Sequence, residues 1–392
     1  MQKIDFTNTE IAFNDKTNGD LAWAKHLFTI IKSPLMVKTG KHLLNIALTI
    51  RFPIGWIVKP TLYRHFVGGE TIDKCLPTVE KLSKSKVKSI LDYSVEGADS
   101  EKAFNAVFDE IVRTIEITAQ NPNVEFAVFK PTALVFPDIL KKSGFDNVDL
   151  SELETKGLDN FISRVDQLCQ IAHDRDVKLL IDAEDVWYQQ SIDNVVVAMM
   201  KKYNGKKPIV WNTWQMYRTD RLQNLDETLQ NARNDNYFVG VKFVRGAYME
   251  KERKRAITGK YPSPIHPNKE ATDKAYDDGL TLAMENIDIC EIFNGTHNEN
   301  SVQLLVNRIE NKKLEPNDSR IWFSQLYGMS DHISYNLAHA GYNVVKYIPY
   351  GPVRSVAPYL IRRAEENTSI KGQTNRELSL LLQELKRRKK QL

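Results

Sequence analysis

Cysteine is scarce in this sequence: Cys75, Cys169 and Cys290 stand far apart and are odd in number. That spacing argues against a disulfide framework and a cysteine-bound metal, so no metal site is expected, and it suits a reducing compartment. Each cysteine is expected to be a small buried hydrophobe. Long apolar runs are also missing. The nearest candidate, Leu43 to Ile50, is cut off by Arg51 and Pro53, well short of the ~20 residues a membrane span needs. Met1 to Asp20 is mixed polar and acidic, unlike a signal peptide or an arginine-rich transit peptide. A cytoplasmic protein is expected, peripheral on the inner face of a membrane at most. Net charge is only +4, which leaves the body of the chain no case for nucleic acid. No G-x-G-x-x-G or G-x-x-x-x-G-K-[ST] follows an apolar run, which disfavours a Rossmann domain and a P-loop.

What is present is the composition of a globular protein, 42% hydrophobic and 27% charged. Residues 1–85 read as a helical, irregular region. From there short runs rich in Val, Ile and Phe alternate with longer amphipathic stretches, the pattern of repeated βα units. Eight such runs occur: Ser89–Tyr93, Glu125–Lys130, Lys178–Asp182, Pro208–Asn212, Phe238–Val244, Ile289–Phe293, Arg320–Ser324 and Asn343–Tyr347. Eight units predict an α/β fold of the (β/α)8 TIM-barrel type over 86–368 rather than an open sheet. The N-terminal helical region precedes it, a C-terminal helix is expected over the barrel mouth, and a basic amphipathic tail occupies 369–392.

Barrel enzymes do their chemistry where strands end, and here the strands exit into polar groups. The second ends in Lys130, the third in Asp182-Ala183-Glu184, and the fourth leads to Gln215. The fifth carries Lys242 and exits at Arg245-Gly246-Ala247-Tyr248. The sixth gives Gly295-Thr296-His297-Asn298, the seventh Gln325-Leu326-Tyr327, the eighth Tyr347. Singly, Asp182 could be a helix cap and His297 a satisfied loop histidine; together they predict a shared ligand pocket. Gly246 and Gly295 suit either close backbone approach to a phosphate or flat ring, or an ordinary turn.

After the eighth run, Pro352 fits a helix start, and Val353 to Asn367 follows at apolar spacing. On that helix Tyr359, Arg362, Arg363 and Glu366 cluster at i,i+3 and i,i+4. An exposed Arg362–Glu366 pair would contribute only about 0.3–0.5 kcal/mol. Adjacent arginines beside a tyrosine also suit bidentate recognition of a carboxylate.

Taken in order, Phe129-Lys130-Pro, Ile181-Asp182-Ala-Glu, Val241-Lys-Phe-Val-Arg-Gly-Ala-Tyr248, Gly295-Thr-His-Asn298, Gln325-Leu-Tyr-Gly-Met, Tyr347-Ile-Pro-Tyr-Gly-Pro and Tyr359-Leu-Ile-Arg-Arg-Ala-Glu-Glu-Asn367 resemble the proline dehydrogenase family. The likeness covers about Leu91 to Asn367. It extends to the matching domain of bifunctional proline-utilisation flavoenzymes, and Lys242 with Arg245 is more similar to the mitochondrial branch, since many bacterial members exchange the two types. The resemblance implies a barrel that binds FAD and passes a hydride from C5 of L-proline to flavin N5. The product is Δ1-pyrroline-5-carboxylate, and the electrons go to a quinone. It also implies roles. Arg362 and Arg363 would clamp the substrate carboxylate, with Lys130 as a third cation and Glu366 orienting the clamp. Tyr347, Tyr359 and Leu326 would contact the substrate, and Asp182 would hold the Tyr347 hydroxyl. Ala183, Gln215, Lys242, Val244, Arg245, Gly246, Ala247, Tyr248, Thr296, His297, Asn298 and Gln325 would contact the cofactor.

The nearest rival is hydroxyproline dehydrogenase on the same fold. Members with that preference tend to carry a smaller residue at the Tyr347 position, so the resemblance favours proline. A different class is a catalytically idle barrel used as a membrane or partner scaffold. The tail motivates it: Leu378, Leu381, Leu382 and Leu385 form an apolar stripe before Lys386-Arg-Arg-Lys-Lys390. Such a helix suits an anionic membrane surface and equally a plain solvated terminus.

Overall fold

The computed structural model describes residues 4–50, 52–95, 98–144, 148–369 and 373–391, and their side chains except over 366–374. Eight strands close into a parallel barrel in chain order. They are β1 Lys88–Tyr93, β2 Val124–Phe129, β3 Lys178–Ile181, β4 Val210–Gln215, β5 Val239–Val244, β6 Cys290–Gly295, β7 Ile321–Leu326 and β8 Val344–Tyr350. Every gap between them holds at least one helix, so the expected (β/α)8 fold is the observed one. All three cysteines are free and buried. The chain divides into two compact units, Gly97–Ser324 and, taken together, Gln2–Glu96 with Gln325–Leu392.

Within Gly97–Ser324 the pairing registers decide which side chains share a face. Phe126 lies opposite Lys178, Leu180 opposite Trp211, Trp211 opposite Gly240, and Phe293 opposite Trp322. Because strand side chains alternate, these residues point the same way. Lys178 Nζ stands 5.4 to 5.7 Å from the ring centroids of Phe126, Trp211 and Trp322 and 3.3 Å from Glu291. Strands that are not neighbours thus meet at one ammonium, so this face is the barrel interior and the group its floor. Gly240 must be glycine here, since a Cβ would fall 2.4 Å from the Trp211 indole. Two-residue steps up the same face lead from Phe126 to Lys130, from Lys178 to Asp182, from Trp211 to Gln215 and from Gly240 to Lys242 and Val244. The polar strand ends therefore face inward.

In the other unit, Thr17 and Asp20 form a capping box that starts helix Asn18–Ile31, and Ser33 caps Pro34–Thr49 with proline in its first turn. The C-terminal helix Gln373–Lys389 does not present its apolar stripe outward, as the sequence had suggested. Leu380 and Leu381 are buried with Phe13, Leu21 and Phe28, and Leu378 and Leu385 pack against that cluster; of the expected stripe only Leu382 is exposed. Arg387 and Arg388 bond to buried Glu384, and Arg388 also donates to the carbonyls of Phe13 and Lys16. The stripe is core, and two of the five terminal cations hold it there.

Strand and helix limits shift as well. β8 runs on to Tyr350, so Tyr347 sits inside it, paired opposite Ile90, and Gln325 and Leu326 belong to β7. The helix after β8 begins at Ala357, not Val353. Pro358 is the reason: in a helix begun at Val353 it would be an interior residue, lacking an N–H and clashing with the carbonyl four residues earlier. A hydrogen-bonded turn from Pro352 to Val356 puts Pro358 in the first helical turn, where proline is tolerated.

Candidate active site

The first unit gathers the inward-facing polar groups around one carboxylate. Asp182, just past β3, donates its N–H to the Phe129 carbonyl of β2 at 3.0 Å. Its Oδ1 accepts from Lys242 Nζ at 2.5 Å, and its Oδ2 lies 3.7 Å from Lys130 Nζ. β4 lies between β3 and β5, so the Lys242 contact reaches across the interior face. Lys242 is only 5% exposed and sits over the Phe293 ring at 5.7 Å. Asp182 is thus held by two lysines, and the helix-cap reading does not apply to it.

Next to this pair, Gln215 ends β4 and is 2% exposed. Its Oε1 has no hydrogen-bond partner among the described residues. A buried acceptor left unpaired costs free energy of about 1–3 kcal/mol, which marks a place for a ligand donor. Glu184, two residues beyond Asp182, is also buried and accepts from the Thr132 N–H at 2.7 Å and its hydroxyl at 2.5 Å. Burial pushes its carboxyl up to about 7 despite those bonds.

The loops after β5 and β6 are tied by Arg245. Its guanidinium donates to Asp273 at 2.7 Å, to the Thr296 hydroxyl at 2.5 Å and to Ser301 at 2.9 Å, and it stacks 4.3 Å from the centroid of Tyr276. These protein partners make it a device that orients Thr296. Gly246 adopts φ +123°, and a Cβ there would lie 2.4 Å from the Tyr217 ring; the turn requires glycine whatever binds nearby. Ala247 is exposed, and Val244, Tyr248 and His297 are half-buried. Asn298 caps helix Glu299–Asn311 by accepting from the N–H groups of Asn300 and Ser301, the most ordinary of the possible roles for that residue.

The second unit carries the remaining candidates. Tyr347 on β8 is buried, and its carbonyl accepts from the Tyr327 N–H at 2.9 Å. Gln325 is buried and accepts from the Ser334 hydroxyl at 2.7 Å. On helix Ala357–Ser369, the buried Arg363 places its guanidinium carbon 5.1 Å from the centroid of Tyr359. Leu326 packs on the cluster that contains Tyr359 and Leu360. Arg362 is half-buried, while the Glu366 side chain lies outside the described ones. The i,i+4 spacing of Tyr359 and Arg363 therefore produces a stacked pair rather than a solvated one.

One buried group had no sequence signal beyond a single letter. Lys346, beside Tyr347 and pointing to the other face of β8, donates to Asp331 at 2.8 Å and to the Met329 carbonyl at 2.5 Å. Lys16 reaches the same carboxylate at 3.3 Å. Burial alone would raise the Asp331 carboxyl, but the two lysines outweigh it and hold it well below the usual range. The group fixes the segment after β7 to the N-terminal helices.

The model of the family described as proline dehydrogenase matches residues 75–376. The chain belongs to the proline dehydrogenase family. As a member it is an oxidoreductase. It is 31% identical to proline dehydrogenase 1, mitochondrial, of Dictyostelium discoideum over 98% of this chain and 75% of that one. To the hydroxyproline dehydrogenase of Xenopus laevis it is also 31% identical, over 96% of this chain and 88% of the relative. Among solved structures, proline utilization A from Bdellovibrio bacteriovorus superposes with TM-score 0.71 at 19% identity. That match covers 96% of this chain but only 38% of the longer protein, and it supports the fold alone.

Proposed function

We propose that this family member oxidises L-proline to Δ1-pyrroline-5-carboxylate, with FAD as its flavin and a quinone as the final electron acceptor. The observation that carries the reading is the half-buried Lys130–Asp182 pair joined to the buried Lys242, beside the unpaired Gln215 Oε1. When bound, FAD supplies the acceptor for the hydride that leaves C5 of proline. An isoalloxazine ring presents an imide N–H, the donor that Gln215 lacks, and carbonyl and ring nitrogen atoms that the Lys242 ammonium suits. Thr296, held by Arg245, adds a hydroxyl. Val244, Gly246, Ala247, Tyr248, Ala183, His297, Asn298 and Gln325 complete the proposed cofactor contacts.

Arg362 and Arg363 take the carboxylate of proline, with Lys130 adding positive charge. Arg363 is suited to this because stacking on Tyr359 limits its rotamers, so little side-chain freedom is lost on binding. Tyr347, Tyr359 and Leu326 wall the pyrrolidine ring. None of these groups carries electrons. Their work is to hold C5 close to its acceptor, where positioning alone contributes several kcal/mol to lowering a barrier.

The test is spectral. Purified protein is expected to be yellow, with flavin absorption bleached by L-proline. A colourless chain that takes up no FAD would remove the flavin reading. The Xenopus relative keeps hydroxyproline in view: faster bleaching by trans-4-hydroxy-L-proline than by L-proline would reverse the substrate assignment.

A further inference from the structure

Among the described residues, nine of the seventeen exposed large hydrophobic side chains fall between residues 30 and 57, so this is a patch and not the usual scatter of single residues. Its centre is helix Pro34–Thr49, which buries none of its residues. At 100° per residue, Val37, Leu44, Ala47 and Leu48 form one apolar arc, and these pack against the Phe66 and Leu360 cluster. A second apolar arc, roughly 100° wide, looks away from the protein. It runs through Leu35, Leu43 and Ile46 to the capping residue Ile50, and Leu35 and Leu43 are 73% and 61% exposed. The helical turn that follows in the chain, Gly55–Val58, carries Trp56, 68% exposed.

Charge in the same segment is of one sign. Between Asp20 and Glu70 there are seven Lys or Arg and no Asp or Glu, in a chain whose net charge is only +4. Lys41, Lys59 and Arg64 reach carboxylates elsewhere, those of Glu365, Glu70 and Asp20. Lys32 and Lys38 are exposed, with no ion-pair partner among the described residues. Lys38 lies about 60° round the helix from Leu35, at the edge of the outer arc.

We propose that the outer face of helix Pro34–Thr49, with Trp56 and Ile57 of the turn that follows, is a docking surface for an anionic lipid bilayer. The helix would lie in the headgroup plane. At sixteen residues it is too short to cross, and no helix among the described residues is long and apolar enough to do so. An exposed tryptophan and an apolar arc bordered by lysines are the features of helices that settle at this depth. A second copy of the chain is the poorer occupant. Two-fold pairing would bring like charges together across the contact. Vesicle binding is read without turnover, so its outcome does not depend on the electron acceptor proposed above.

The full chain should cosediment with vesicles of phosphatidylcholine mixed with phosphatidylglycerol, far less with phosphatidylcholine alone, and be released by salt. Leu43→Glu/Ile46→Glu should weaken binding by about a hundredfold, at about tenfold for each side chain withdrawn. Lys32→Gln/Lys38→Gln should lower binding to the mixed vesicles by roughly twenty-five-fold, at about fivefold per charge, and leave the thermal midpoint unchanged. Leu382→Glu, on the tail, should bind as wild type. Three results overturn the proposal: no binding of the wild-type chain to mixed vesicles, wild-type binding by both double variants, or loss of a self-associated species in Leu43→Glu/Ile46→Glu with vesicle binding intact.

Discussion

Asp182→Asn is the most informative single substitution. The Lys242 and Asp182 side chains are 7% and 15% exposed and their charges meet at 2.5 Å. A solvated pair of this kind contributes about 0.2–1 kcal/mol. A buried one behaves differently, since removing one partner strands the other charge in a medium that solvates it poorly and costs about 3–5 kcal/mol. Asp182 keeps some solvent access, so the lower end applies, about 3 kcal/mol. Lys242→Met should cost less, about 2 kcal/mol, because Lys130 remains 3.7 Å from the carboxylate. In the double variant Asp182→Asn/Lys242→Met neither charge is stranded, and the loss should fall below the sum of the single losses by about 1.5–3 kcal/mol. Equilibrium urea unfolding followed by circular dichroism gives the three numbers, and flavin content in each variant shows whether the site survives. A single-variant loss under about 1 kcal/mol, or strict additivity, would refute the claim that this is a desolvated pair.

The tail offers a second test. Leu381→Ala should cost about 2–5 kcal/mol because it opens a cavity beside Phe13, Leu21 and Phe28, whereas Leu382→Ala should stay within about 0.5 kcal/mol; thermal midpoints read both. Two buried groups should oppose each other in acid. Glu184 moves from 4.5 up to about 7, so the fold holds its proton and loses stability as pH rises through that range. His65, pushed by burial from 6.5 down to about 4, stays neutral in the fold and loses stability as pH falls through its range. Each is worth about 3 kcal/mol, so Glu184→Gln should make the thermal midpoint climb more steeply between pH 4.5 and 6.5 than in wild type; an unchanged slope would contradict the assignment. Arg363→Met should raise KM for proline by about 10- to 100-fold, the value of a charged hydrogen bond, with kcat nearly kept. Steady-state kinetics decide, and a loss confined to kcat would mean that Arg363 acts on the reaction and not on binding.

Much of the site was legible because strand chemistry is local. Period-two alternation and the polar residue at the end of each apolar run brought Lys130, Asp182, Gln215 and Lys242 to attention as letters, and the pairing registers put all four on one face. Partners were not legible. Asp182 and Lys242 are sixty residues apart, and nothing in either neighbourhood says that they meet. Arg245 looked like one more strand-end cation, yet Asp273, Thr296 and Ser301 come to it from later segments. The tail misled for the same reason. An apolar stripe followed by cations reads alike whether it faces a bilayer or a core, and only the helix packed against it tells the two apart.

By itself the sequence determined the eight βα units, the family and the inward-facing polar letters, because spacing and residue type act over a few neighbours. Tertiary structure alone decided which charges are buried together, which glycines the packing demands and which of two apolar stripes is covered. Those outcomes depend on residues far apart in the chain coming together. So Leu381 became core, while Leu43 and Trp56, no less apolar, were left facing solvent.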